Sequence, residues 1–251
     1  MIFNEKIVSA AQMHARDAYP NESCGIVVGG QYMRCRNIAE VPTQDFAIHP
    51  ADYKNAILTG RMQAIVHSHP DGPLHPSKTD MESQIKTDVP WAIIPLDEDR
   101  MGAPIIWGDD DNIPPLLGRE FVPGVTDCFA LIRDVFRLGR EGCAAQGIEW
   151  PLDPILIAEQ PRDEGWWASG EDLYIDGMAG EGFVEVPASE IRPGDVFLLK
   201  WQSEKFNHGG VLLTYDTIAQ HFPKRQSRRE PSGLWARHAE MWIRYVGKSN
   251  A

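Results

Sequence analysis

Cysteine occurs only four times in 251 residues, at Cys24, Cys35, Cys128 and Cys143. That is too sparse for the disulfide framework of a small secreted scaffold, and a chain of this size in a reducing compartment holds such residues as thiols. Positive charge is also short: 24 Lys and Arg stand against 36 Asp and Glu, a net charge of −12. A dedicated nucleic-acid binder carries the opposite balance, so no nucleic-acid partner is expected. No apolar run approaches the roughly 18 residues of a membrane helix, so no membrane span is expected. Met1 to Lys6 has neither the basic start nor the apolar core of a secretion signal, which places the protein in a cytoplasm.

Hydrophobic residues make up 43% of the chain and charged residues 24%, the balance of an ordinary globular protein. The length exceeds one average domain. The first half alternates helical and strand patterns. Asn4 caps a predicted helix to about Tyr19, the stretch from Glu22 to the Gly29-Gly30 turn and Tyr32–Ala39 read as strands, and Pro50 to about Thr59 reads as a helix. Strands through His69, at Trp91–Leu96 and at Ala103–Trp107 follow, so a sheet with helices packed on it is expected. Gly108 to Pro115, with three acids and two prolines, continues neither element and marks a boundary. The expected division is a domain over 1–110, a linker over 111–117 and a domain over 118–251. In the second half, Thr126 to Ala145 is helical, Trp150 to Phe183 is too irregular to assign, and 196–199, 208–213 and 218–222 read as strands.

The stretch from His67 to Asp80 concentrates chemistry. In a strand, His67 and His69 point to the same side. Pro76-Ser77-Lys78-Thr79-Asp80 reads as a helix start with Ser77 as its cap, and Asp80 can face back toward the histidines. Two imidazoles and a carboxylate with a fourth position open are the donors of a catalytic zinc site. An isolated His-x-His pair is more simply an exposed polar face; the serine and aspartate at fixed spacing argue for more. His49 and His75 read as loop residues, His75 lying inside the motif loop within reach of metal or substrate. His67-x-His69-Pro70, six residues, Ser77, two residues and Asp80 resembles the motif of the JAMM (Mov34) metalloproteases, with Glu22 in Glu22-Ser23-Cys24-Gly25 similar to the glutamate that completes it. The resemblance covers about residues 1–110. It implies that His67, His69 and Asp80 bind Zn2+, that Glu22 carries a proton from the attacking water to the leaving amine, and that Ser77 helps hold the oxyanion.

A second constellation lies downstream. Thr126-Asp127-Cys128 puts a cysteine in the first turn of a predicted helix, where the dipole favours the thiolate. His208-Gly209-Gly210 opens a predicted strand eighty residues later. A thiol, a histidine and a third polar group form the general thiol-peptidase arrangement. Residues from about 118 to 245 resemble the NlpC/P60 peptidases, which have a compact papain-like fold. The resemblance implies Cys128 as nucleophile and His208 as base. The third position falls about a dozen residues after the histidine, on Gln220, with His221 as the alternate; on a regular strand the two face opposite sides. The family often has histidine there, and glutamine can orient an imidazole through its amide oxygen. Cys24, Cys35 and Cys143 lack such partners and read as structural. The basic run Lys224 to Arg229 is a solvated loop or a means of steering an anionic substrate.

The two halves together, with the strings Gly124-Val125-Thr126-Asp127-Cys128 and Ser227-Arg228-Arg229-Glu230-Pro231, resemble the tail tip assembly proteins of lambda-like phages. That resemblance implies an α/β domain followed by an α+β domain, phage tail tip proteins as partners, and residence in the bacterial host cytoplasm during assembly or at the virion tail tip. It implies a cysteine endopeptidase acting on peptidoglycan peptide stems beside a zinc-dependent (iso)peptidase site. The competing readings are a structural assembly factor with vestigial or regulatory peptidase domains, and a deubiquitinase-like regulator.

Overall fold

The structure, a computed structural model, describes residues 2–178 and 180–248. It forms two compact units, with the division between Asn112 and Ile113. Among the described residues, no helix is long and apolar enough to cross a membrane.

The first unit opens with α1 (Glu5–Ala18), begun where Asn4 Oδ1 accepts the Ile7 N–H at 3.1 Å. Strands β1 (Cys24–Val28) and β2 (Gln31–Cys35) form a hairpin, and α2 (Pro50–Thr59), β3 (Met62–Pro70), α3 (Lys78–Thr87), β4 (Trp91–Leu96) and β5 (Ile105–Trp107) follow. The sheet order is β2-β1-β3-β4-β5. Only β3 and β4 run parallel, and α3 supplies the crossover that a parallel pair needs. Each strand divides its side chains between two layers. Val27, Ala64, Val66, Ala92 and Ile94 pack against Ile7, Ala11 and Ala15 of α1. Cys24, Ile26 and Val28 pack on the opposite face with Ala56 of α2. Cys24 lies directly across from His67, which places the histidine on the α2 face.

The second unit contains α4 (Cys128–Ala145), α5 (Leu173–Met178), β6 (Phe183–Val186), β7 (Val196–Leu199), β8 (His208–Leu212), β9 (Thr217–Gln220), β10 (Arg228–Pro231), α6 (Ser232–His238) and β11 (Met241–Tyr245). The antiparallel sheet has the order β10-β9-β8-β7-β11-β6. One face, through Leu198, Val211, Ala219 and Ile243, packs on Leu131, Val135 and Phe136 of α4. The other carries Phe197, Leu199, Leu212, Ile218 and Trp242, with Trp235 of α6 against them.

Three differences from the sequence expectations have physical causes. Leu116, expected in the linker, is fully buried in the second unit's core, and its N–H donates to Gln146 Oε1 at 2.7 Å. Strand β9 stops at Gln220, two residues before the expected end: Ser227, next to Gln220's partner Arg228, instead donates its N–H to the Arg119 carbonyl and accepts the Gly118 N–H. The stretch after Trp150 defied assignment because it is held by charge rather than by a periodic apolar face. Arg119 Nη1 donates to Asp134 Oδ2 at 2.7 Å, and Arg133 bridges Asp134 and Glu159. Arg162 Nη1 donates to Glu159 Oε1 at 2.7 Å, while its Nε and Nη2 clasp the two oxygens of Asp127 at 2.7 and 2.8 Å.

Helix α4 kinks at Gly139, whose φ of 60° lies in the left-handed region and whose missing Cβ leaves room for Pro154. Gly139→Ala therefore meets both strain and a clash, and should cost at least about 1–3 kcal/mol of unfolding free energy. A denaturant midpoint equal to the parent's would contradict this account of the kink.

Candidate functional site

In the first unit, β3 and the start of α3 bring three ligand-type side chains together. His67 Nε2 and His69 Nε2 are 3.1 Å apart. Asp80 Oδ1 lies 3.5 Å from His67 Nε2, and Oδ2 lies 3.8 Å from His69 Nε2. His69 Nδ1 is 2.8 Å from the Pro73 carbonyl, which can only accept, so neutral His69 carries its bare lone pair on Nε2. Two donors of a tetrahedral zinc ion with ~2.05 Å bonds sit about 3.3 Å apart. The nitrogen separation fits that edge, and the donor set matches the ion's preferences.

Ser77 governs Asp80. As the cap of α3 it receives the Asp80 N–H on its Oγ at 3.1 Å, while its own N–H and hydroxyl donate to Asp80 Oδ2 at 2.8 and 2.7 Å. Oδ1 is thereby turned toward His67. The serine expected at an oxyanion is here committed to orienting a carboxylate.

Glu22 is buried. Ser23 accepts the Ser68 N–H on its carbonyl at 3.0 Å and donates its own N–H to Ser68 Oγ at 2.8 Å. These bonds hold Ser23 beside Ser68, between the two histidines, and the adjacent Glu22 lies within reach of the Asp80 charge. Burial, then the charges of Asp80 and Asp45, push its carboxyl up to about 8. Burial drives His67 down to about 3, with His69 adding to it against Asp80. Sequence reasoning did not find the aromatic cage: Phe46 stacks on His67 at 4.5 Å, and Trp91 and Trp107 meet it edge-on. Aromatics at unrelated chain positions carry no spacing that links them to a motif. His49 is the cap of α2, accepting the Ala51 N–H at 3.1 Å, and His75 Nδ1 lies 3.1 Å from the Pro76 carbonyl.

In the second unit the expected residues assemble into two groups. His208 Nε2 lies 2.8 Å from Gln220 Oε1, and Gln220 Nε2 donates to Glu230, which also accepts from Trp235 Nε1 at 3.0 Å. The carboxylate fixes the amide orientation, so His208 donates from Nε2 and its Nδ1 is bare, buried and without a hydrogen-bond partner. Its ring packs with Phe222 at 4.8 Å, Trp235 at 6.0 Å and Phe197 at 6.1 Å, in the α6 layer. Cys128 lies in the α4 layer. Its sulfur receives the Tyr174 hydroxyl at 3.3 Å and approaches the Asn207 carbonyl at 3.9 Å. Cys128 and His208 thus form no hydrogen bond, because Gly209 faces α4 while its neighbour His208 faces away. A Cβ on Gly209 would meet the Phe197 carbonyl at 2.9 Å and Ile132 at 3.2 Å.

The helix terminus was expected to favour the thiolate, but burial and the adjacent Asp127 charge prevail and push Cys128 up to about 11, against Tyr174, Arg162 and the Gly209 N–H. Burial lowers His208 to about 4. His221 stands apart from both groups, with Nε2 3.1 Å from the Arg225 carbonyl and its ring edge-on to Phe121.

Residues 4–101 match the family described as prokaryotic homologs of the JAB domain. The "Tail tip assembly protein K" of Escherichia phage N15 is 32% identical over 253 residues, covering 96% of this chain and 95% of that one. The chain belongs to the tail tip assembly protein K family. The phage lambda member is also 32% identical, over 78% of this chain and 84% of its own. The chain is also similar to two solved structures. One is a Desulfitobacterium hafniense protein, 25% identical over 41% of this chain and 78% of that one, with a TM-score of 0.34. The other is an NlpC/P60 family protein from Bacillus cereus, 13% identical over 94% and 67%, with a TM-score of 0.31.

Glu22 gives this K-family chain a pH signature. Its folded-state carboxyl lies above the ordinary 4.5, so it favours folding in the protonated form and opposes it once ionised. Metal-free Glu22→Gln should gain stability over metal-free parent as pH rises from about 4.5 through about 8, with a constant gap above that. Parallel stability curves across that window would refute the shift.

Proposed function

We propose that this chain acts in phage tail tip assembly, in the host cytoplasm and at the tail tip, and that its first unit is a zinc-dependent peptidase or isopeptidase. Family membership supports the assembly role and tail proteins as partners. The observation that carries the peptidase reading is the pair of imidazole nitrogens 3.1 Å apart with Asp80 beside them. Zn2+ held there supplies a Lewis acid that polarises a scissile carbonyl and acidifies a water. His69 is kept in the ligand tautomer by Pro73, and Asp80 is oriented by Ser77. Glu22 is pushed up to about 8 in the metal-free site and is mostly protonated there at neutral pH; beside a bound cation, which favours the carboxylate, it would accept a proton and return it to a leaving amine. Phe46, Trp91 and Trp107 exclude water around His67.

Protein purified without chelator should carry one zinc per chain, lost in His67→Ala and Asp80→Ala. Glu22→Gln should keep the metal, yet fail to restore tail assembly to a phage lacking this gene, since a general base contributes ~10²–10⁴-fold in rate. A folded, metal-free parent would count against the zinc site. Full complementation by Glu22→Gln and His67→Ala would leave a structural assembly factor as the better reading.

The second unit has its own reading, a cysteine endopeptidase cutting peptidoglycan peptide stems. The bond from His208 to Gln220 favours it, because it leaves His208 with a bare Nδ1, the form of a general base. The reaction requires Cys128 and His208 to meet, and a thiol near 11 needs such a base. Purified protein should clear peptidoglycan, with Cys128→Ala inactive and chelator without effect. Clearing by Cys128→Ala would end this assignment.

A further inference from the structure

We propose that α5 is an autoinhibitory strap: Tyr174 covers Cys128, and the strap must lift before the thiol can react. The inference rests on the reading of Cys128 as a nucleophile. Cys128 begins α4, yet it is only 8% exposed, whereas reactive thiols are partly open to solvent. The Tyr174 hydroxyl lies on its sulfur at 3.3 Å. Tyr174 is braced by Phe129 at 5.9 Å and Trp166 at 6.2 Å. The raised thiol pKa agrees with a closed, protonated state.

The strap is held weakly on its other sides. At six residues, α5 is too short to persist without tertiary contacts. A half-open pocket of about 40 Å³ lies between Leu173, Tyr174 and Met178 of α5 and Phe129, Ile132 and Phe183 beneath it. Side chains bordering empty space lose the dispersion contacts that packed neighbours supply. The approach to α5 is tied down by a Lys205–Asp172 ion pair of 3.6 Å, with the lysine side chain 39% exposed, and such pairs contribute little. The other oxygen of Asp172 is buried without a hydrogen-bond partner, which further opposes the closed form.

Timed alkylation of the full chain by iodoacetamide, read at each cysteine by peptide mass spectrometry, tests this. Cys128 should react slowly in the parent. It should react about threefold to tenfold faster in Tyr174→Phe, which loses one hydrogen bond. Tyr174→Ala should accelerate it further, with Cys24 and Cys143 remaining protected. Should Tyr174→Ala expose all the cysteines by unfolding, Tyr174→Phe, which keeps the ring in the core and removes only the hydroxyl, decides the question and should accelerate Cys128 alone. Parent Cys128 reacting as fast as in urea-unfolded chain would overturn the proposal, as would an unchanged rate in Tyr174→Phe. Faster alkylation without any peptidoglycan clearing keeps the strap and removes the peptidase reading.

Discussion

Period-two alternation along a strand decides what both units can do. In the first, Cys24 pairs with His67, so His67 and His69 share one face of the sheet and α1 covers the other. A one-residue slip of β3 would send both histidines into the α1 layer and dissolve the site. In the second, the same rule separates residues. Leu199 pairs with His208 and Gly210 with Gln220, so the imidazole and its amide share the α6 layer. Gly209 and Val211 face α4 and Cys128. Proximity in sequence thus gives no proximity in space when parity is wrong: the backbone around His208 touches the thiol while its ring points elsewhere.

Buried charge does for the second unit what apolar periodicity does for the first. Arg119, Asp134, Arg133, Glu159, Arg162 and Asp127 alternate in sign along one chain of ion pairs. Such a chain adds little net stability against an apolar equivalent, yet removal of one member strands a buried charge at about 3–5 kcal/mol. Its value here is positional. It fixes an irregular segment to the start of α4, where Asp127 stays ionised despite burial because Arg162 and the Ala130 and Gly124 N–H groups outweigh desolvation.

The sequence revealed the parts of this molecule that depend on local rules. Asn4 and Ser77 announce helix starts because capping is a contact between near neighbours. His67, His69 and Asp80 were legible because a strand's alternation and one helical turn suffice to bring them together. What depended on non-local structure was not legible. Phe46, Trp91 and Trp107 surround His67 from three separate segments. The burial of Cys128 by Tyr174 reverses the effect of its helix terminus, and Tyr174 lies in the stretch without periodicity. The strands at 183–186, 228–231 and 241–245 went unassigned because short segments completing a sheet take their conformation from neighbours rather than from pattern.

The two helix-start aspartates differ in what capping leaves free. Asp80 uses one oxygen for the cap: both Ser77 donors go to Oδ2, and Oδ1 is left to the histidines. A backbone capping motif therefore sets the orientation of a ligand carboxylate at no additional conformational cost, since ordering α3 already orders the side chain. Asp127 has no such remainder. Its Oδ1 accepts from Ala130 and Arg162, and its Oδ2 from Gly124 and Arg162. Every lone-pair direction is consumed by structure, and the only effect left for Cys128 is the charge, which opposes the thiolate. Cys128 is thus left with Tyr174 and the Asn207 carbonyl as neighbours and no base in hydrogen-bond contact, whereas the first unit's three donors already converge.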